Sequence, residues 1–300
     1  MSSKISAAKL YKLYVVTEAE FYKSLSVKKI SVKIIVQNTF AKRGNYQKKR
    51  SFAFAMISEK KVTPYKGSAE NKKQQVEKMF DTISGEYDGL NRVISLGSDV
   101  KWRKKVIKMV INRKPDTILD IATGTGDLAI QFAKKSEASK IIGLDLSEGM
   151  LSVARKKTAG TPLEKKVAFV KGDSEALPFE DHTFDAITVS FGIRNFEQLE
   201  NGLSEILRVL KKGGLFVILE TSVPTKFPFK QGYYLYTKGI LPLIGRIFSK
   251  DKVAYQYLSE SASVFPHGEA LNNILRKIGF IEVKNKPQTF GVATIYTATK

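Results

Sequence analysis

The sequence predicts an α/β protein with a doubly wound, mostly parallel sheet closed by an antiparallel hairpin. Three observations predict it. Between residues 117 and 221, strand-like apolar runs alternate with stretches of helical period, a rhythm that places helices on both faces of a parallel sheet. The first of these strands runs straight into a glycine turn and then a helix, "ILDIATGTGDLAI" (118–130). At the end of the chain, "IEVKNKPQTFGVATIYTATK" (281–300) reads as two strands joined by a turn containing Pro and Gly.

In chain order, residues 1–55 differ from the rest. They hold 12 Lys and Arg against Glu18 and Glu20 and show no steady period. Three readings compete: an organelle transit peptide, a small extra module, or translated upstream sequence with Met56 as the native start. We expect the last, because "MISEKKVTPYKG" from Met56 reads as an ordinary polar leader. Residues 56–113 are expected to form a helical cover. Val76, Met79, Phe80 and Ile83 fall at i, i+3, i+4, i+7 spacing, and a further helix carries Trp102, Val106, Ile107 and Val110 before Pro115. Residues 114–300 then form the main domain. Its strands are "TILDI", "KIIGLDL", "VAFVKGD", "FDAITVSFG" and "LFVILET"; its helices are "DLAIQFAKK", "EGMLSVARKK" and "LENGLSEILRVLKKGG". Residues 222–266, rich in aromatics, Pro and Gly, interrupt the rhythm and are expected to be a lid insertion. "HGEALNNILRKIGF" is a helix ending at Gly279.

Composition removes several function classes. No Cys is present, which excludes disulfides, thiolate metal sites and Cys nucleophiles. No apolar run reaches the length of a membrane span. The net charge of +21 invites anionic partners, either lipid head groups or nucleic acid.

The glycine turn fits G-x-G-x-x-A (Gly124, Gly126, Ala129), with Asp145 about twenty residues on, and so opens as a dinucleotide fingerprint. Its neighbours point elsewhere. Asp120 and Asp127 flank the loop, which suits an ammonium and a sulfonium better than a diphosphate. Asp145 ends the second strand, where a carboxylate can take both ribose hydroxyls. Asp173 ends the third, where it suits an adenine amino group beside the Ser174 N–H. This constellation describes S-adenosylmethionine better than NAD, and no second nucleotide half is present.

The chain resembles class I S-adenosylmethionine methyltransferases, and closely the ubiquinone/menaquinone biosynthesis C-methyltransferases. The resemblance covers about Val76 to Lys300. It rests on "YDGLNRVISLGSDVKWRKK", "LDIATGTGDLAI", "GLDLSEGML", "GDSEALPFEDHTFDAITVSFGIRNF", "RVLKKGG" and "YQYLSESASVFP". It implies S-adenosyl-L-methionine as cofactor, with Thr125, Asp145, Asp173, Ser174 and Ser190 at cofactor-binding positions. Gly124 and Gly126 would then let the backbone meet its methionine end. It implies C-methylation of a polyprenylated demethylmenaquinol to menaquinol; the alternative is the ubiquinone-pathway benzoquinol. No metal is needed, because the sulfonium supplies the leaving group.

At the acceptor, Arg194 is expected to stabilise a developing phenolate and Asn195 to orient the hydroxyl or a water; the resemblance adds an acid, which Asp127 matches. Tyr87 is a second-line candidate beneath the helical cover. His182 is read as exposed, and His267 either as a cap-region residue or as one reaching the substrate. The aromatic stretch of the insertion is expected to line an exit for the isoprenoid tail and to touch the bilayer. The protein is therefore expected in the cytoplasm at the inner face of the membrane; a homodimer stays open. A nucleic-acid methyltransferase is the rival the charge suggests. The missing Cys, and "SFGIRN" where amino-group methylases carry Asp/Asn-Pro-Pro-Tyr/Phe, argue against it. A non-catalytic cofactor-binding protein is the other rival, and the intact Arg194 and Asn195 argue against that.

Overall fold

The computed structural model describes residues 62–240 and 252–300. The expectation for residues 1–55 and the middle of the insertion (241–251) lie outside the described residues. The helices are α1 (Lys72–Ile83), α2 (Tyr87–Ile94), α3 (Ser98–Ile111), α4 (Asp127–Lys135), α5 (Glu148–Thr158), α6 (Leu199–Val209), α7 (Phe229–Leu235), α8 (Lys252–Val264) and α9 (Glu269–Ile278). The strands are β1 (Thr117–Ile121), β2 (Lys140–Asp145), β3 (Val167–Lys171), β4 (Phe184–Ser190), β5 (Leu210–Thr221), β6 (Ile281–Gln288) and β7 (Ala293–Thr299). They make one seven-stranded sheet in the order 3-2-1-4-5-7-6. β1 to β5 are mutually parallel, and β7 runs antiparallel to both β5 and β6. The strand order reverses between β1 and β4, which opens a crevice at their carboxyl ends.

Burial follows the pattern of a sheet covered on both sides. The central strands are apolar almost throughout, as buried parallel strands must be. One face packs Leu203, Ile206, Leu271, Leu275 and Phe280 from α6, α9 and the turn after it. The other packs Trp102, Val106, Val110, Leu128 and Phe132 from α3 and α4. A third cluster joins α1 to α5 and α8 through Val76, Met79, Ile83, Met150, Ala254 and Tyr257. Met79 and Ile83 belong to the stripe read from the sequence.

Two boundaries differ from expectation. The segment from Tyr87 to Ile111 is two helices, broken at Leu96 and Gly97, both of which have positive φ. The helix "LENGLSEILRVLKKGG" ends at Val209, and the following Leu-Lys-Lys-Gly-Gly opens β5. Leu210 pairs there with Phe184 and is wholly buried, so strand pairing overrides the helical run. No helix among the described residues is long and apolar enough to cross a membrane.

Asp120 has a structural role that its position beside the glycine turn does not advertise. Its carboxylate is buried on β1 and accepts hydrogen bonds from Thr188 Oγ1 of β4 and Thr123 Oγ1, both at 2.6 Å. It thus ties the start of the loop to the neighbouring strand. Burial raises its pKa from 3.8 to about 6. The folded state therefore holds this proton more tightly than the unfolded chain. Between about pH 4 and pH 6 the wild type should lose stability relative to Asp120→Asn as the pH rises. Asp120→Ala, which strands both hydroxyls, should cost about 2 kcal/mol at pH 7 in urea denaturation.

Candidate active site

Two cavities open at the carboxyl edge of the sheet. The first is lined by the ends of β1 to β4 and by α1 and α2. Its wall holds the carboxylates of Glu77, Asp145, Asp173, Glu175 and Glu197 against a single cation, Lys73. Such a wall repels a diphosphate and accepts a cationic ligand. It also includes Gly124, Ser174, Ser190, Phe191 and Asn195. The second cavity is larger and mostly apolar. Trp102, Phe191, Phe229, Tyr233, Tyr236 and Phe290 are among its walls. Tyr87 and Phe191 line both, so the cavities adjoin at these two rings.

The acids on strand ends are set by short-range bonding. Asp145 accepts the Gly124 N–H at 2.8 Å and the Ser147 N–H at 2.9 Å. Burial outweighs these bonds and lifts its carboxyl to about 6. Asp173 accepts a short hydrogen bond from Lys73 and the Glu175 N–H at 2.9 Å. Lys73 stays firmly protonated; burial works against it, and the bonds and charges of Asp173 and Glu175 more than offset that. Ser190 Oγ is buried without a hydrogen-bond partner, an orphaned polar atom on a residue lining this cavity.

The structure brings Asp145, Asp173, Ser174, Ser190, Gly124 and Asn195 together around the first cavity. Others read from the sequence stand elsewhere. Thr125 is buried and donates to Asp88 of α2 at 2.6 Å, so it fastens the cover to the loop. Gly126 leaves room for protein: a Cβ there would lie 2.7 Å from the Phe169 ring and 2.9 Å from Ala154 Cβ. The glycine serves packing of the loop against β3 and α5. Asp120 is the β1–β4 tie described above.

Asp127 is not among the residues lining either cavity; Arg103 (3.0 Å) and Lys157 (2.8 Å) hold its carboxylate. Its place beside Arg194 is taken by Glu220, at the end of β5, which the sequence reading missed. Arg194 Nη1 donates to Glu220 Oε1 at 2.5 Å and to the Phe191 carbonyl at 2.8 Å, and both side chains are buried. The available signal was a lone acid closing the apolar strand "LFVILE". Tyr257 of α8, also missed, donates to Asn195 Oδ1 at 3.1 Å. Tyr87 stacks edge-on against Phe80, and enclosure raises its hydroxyl pKa, so it is uncharged at neutral pH. His182 is exposed. His267 lies just before the Gly268 cap of α9 and faces the Phe265 carbonyl at 3.3 Å.

A sheet of this order, with an acid-lined cavity at its switch point and an orphaned hydroxyl on the cavity wall, is the architecture of the class I S-adenosylmethionine-dependent methyltransferase fold. Solved structures share the fold at low identity. A Thermotoga maritima S-adenosylmethionine-dependent methyltransferase matches with TM-score 0.52 and 21% identity, covering 74% of this chain and 99% of that one. The [4+2]-cyclase SpnF matches with TM-score 0.55 and 18% identity, over 78% and 97%. Residues 68–300 match the ubiE/COQ5 methyltransferase family, and the chain belongs to it. It is 46% identical to the demethylmenaquinone methyltransferase of Bacteroides fragilis, over 81% of this chain and 98% of the relative. It is 41% identical to the ubiquinone/menaquinone biosynthesis C-methyltransferase of Geobacter sulfurreducens, over 83% and 96%.

Asp145 gives a test of the first cavity. Only its ionised form accepts two ligand hydroxyls. S-Adenosylmethionine affinity, measured by calorimetry, should fall as the pH drops through about 6. At pH 5 it should be about tenfold weaker than at pH 7. Asp145→Asn should bind weakly at every pH.

Proposed function

We propose that the enzyme methylates a ring carbon of a polyprenylated demethylmenaquinol to give menaquinol. The observation that carries this reading is the meeting of the two cavities at Tyr87 and Phe191. A polar, acid-walled site there adjoins a large apolar one, as transfer from a charged nucleoside to a lipid requires. The name of the Bacteroides fragilis relative, a demethylmenaquinone methyltransferase, supports the same acceptor. The Geobacter relative is named for both quinone pathways, which keeps a benzoquinol as the second reading.

When bound, S-adenosylmethionine supplies a methyl group on a sulfonium, whose departure leaves a neutral thioether. Asp145 would hold its ribose and Asp173 with Ser174 its adenine; Ser190 offers an unpaired hydroxyl on the same wall. At the acceptor, a quinol hydroxyl gives up its proton and electron density moves into the ring. Such a ring carbon would accept the methyl group that the bound cofactor supplies, and transfer of the proton left on that carbon to the quinol oxygen, by way of solvent, would restore both aromaticity and the hydroxyl, so that one proton is released overall. The chain's task is alignment and exclusion of water. Tyr87 and Phe191 face the junction, while Arg194 and Asn195, carried on the turn Ile193–Asn195, stand beside it.

The rim of the apolar cavity accounts for a lipid acceptor. Leu96 (78% exposed) and Phe290 (69%) line it, and Phe290 stacks on Phe229 of α7 with ring centroids 3.9 Å apart. Phe227 and Leu235 lie exposed on the same insertion. Lys226 and Lys230 are exposed on it too, and residues 222–240 carry no acid. This surface suits peripheral contact with an anionic bilayer at which the tail enters.

The deciding assay supplies S-adenosylmethionine with a demethylnaphthoquinol, a demethylated benzoquinol, RNA or no acceptor. Methylated naphthoquinol is expected, and its absence alongside a methylated benzoquinol or RNA would overturn the reading. The double variant Leu96→Ser/Phe290→Ser should raise KM for a long-tailed acceptor about tenfold, equivalent to about 1.4 kcal/mol of lost apolar contact. A tail-less acceptor and cofactor affinity should be unaffected.

A further inference from the structure

Arg194 and Glu220 form a buried pair at the wall of the acceptor cavity, and their bonding is one-sided. Glu220 Oε1 accepts three donors: Arg194 Nη1 at 2.5 Å, the Thr221 N–H at 2.7 Å and Thr221 Oγ1 at 3.0 Å. Glu220 Oε2 and Arg194 Nε have no partner. Arg194 and Thr221 line the cavity; Glu220 lies behind them, 1% exposed. The carboxylate therefore reaches the acceptor cavity through the guanidinium and the Thr221 side chain. The other groups facing the pair are tyrosines. Tyr87, Tyr233 and Tyr257 face Arg194, and Tyr257 and Tyr296 face Glu220. All are held protonated by burial, so none supplies charge at neutral pH. Asp99 and Tyr236 also line the cavity. Asp99 is engaged by Ser95 Oγ at 2.7 Å and lies 3.6 Å from Arg103.

An isolated cation beside the quinol would ease loss of its proton but would hold the resulting density on oxygen, away from the ring carbon that must attack. A carboxylate behind the guanidinium removes that conflict. We propose that Glu220 is a positioning residue for the methyl acceptor, fixing the direction of Arg194 and cancelling its charge, so that the acceptor hydroxyl ionises beside a neutral pair. The inference deepens the quinol-methylation reading and rests on it.

The charge of the pair is readable in the pH dependence of kcat at saturating cofactor and acceptor, whose ascending limb reports ionisation of the bound acceptor. Glu220→Gln leaves a net cation. Its limb should move about one pH unit lower, because a nearby cation favours the anion. Its kcat should nevertheless fall about a hundredfold, the scale of one misdirected donor at a reacting oxygen. Glu220→Asp keeps the charge and should keep the wild-type limb while recovering part of kcat. S-Adenosylmethionine affinity should be unchanged in both and serves as the check of folding. If Glu220→Gln does not fold, the same question is put to Arg194→Gln and Arg194→Gln/Glu220→Gln. Removing the carboxylate from the first should bring its limb about one unit lower. A limb that stays fixed in Glu220→Gln, or is the same in those last two variants, overturns the proposal. Absence of any methylated quinol from the wild type would instead overturn the reading of the substrate.

Discussion

The cofactor-side cavity depends on one constraint: the helical cover is bonded, side chain by side chain, to the carboxyl ends of the strands. Asp88 of α2 accepts Thr125 Oγ1 from the glycine turn and Lys157 Nζ from α5, both at 2.6 Å. Asp81 of α1 accepts Ser147 Oγ at 2.5 Å and the Gly149 N–H at 2.9 Å, just past β2. Lys73 of α1 reaches Asp173, just past β3. Each of the first three strands thus ends in a loop clasped by the cover. The apolar contacts of Val76, Met79 and Ile83 hold α1 to the body of the protein but fix no register over these loops. Hydrogen bonds to charged groups are worth more than neutral ones and are directional, so they settle where the cavity roof stands.

The same arrangement divides the acids into two groups. Asp81, Asp88 and Asp127 are spent on holding protein to protein. Asp127 is lowered below the usual carboxylate range; burial opposes this, and Lys157 and Arg103 overcome it. Asp145 moves the other way, because burial is not offset by any cation beside it. A carboxylate poised in this way gains most from a ligand that brings hydroxyl donors. The contrast follows from which acids meet a lysine or arginine, and spacing along the chain does not determine that.

This is also where the sequence was legible and where it was not. The strands Thr117–Ile121 and Phe184–Ser190 and the helix Asp127–Lys135 could be read from period and glycine signals, because they are local. Asp145, Asp173 and Ser190 could be placed at one edge because parallel strands share a direction. The side-chain bonds of Thr125 and Asp127 could not be read from the sequence for a physical reason. Their partners, Asp88, Arg103 and Lys157, lie 37, 24 and 30 residues away, and only packing brings them together. Glu220 was invisible for the converse reason. An acid at the end of a buried strand reads as the strand's exit to solvent until Arg194 is seen facing it.

Arg194 then connects the two halves of the site. It sits on a short turn directly after β4, held by the Phe191 carbonyl on one side and Glu220 on the other, while Lys72 Nζ of α1 donates to the Arg194 carbonyl oxygen at 3.0 Å. Lys72 also reaches the Phe196 carbonyl at 2.8 Å. The turn that carries the acceptor-side residues is therefore fastened by the same helix that roofs the cofactor cavity. Leaving one member of a buried ion pair alone is costly, so this turn has a single favourable arrangement so long as both charges remain. Cover, cofactor loops and acceptor turn form one connected set of polar contacts around the Tyr87–Phe191 junction. Geometry at the point of methyl transfer is fixed from the cover inward.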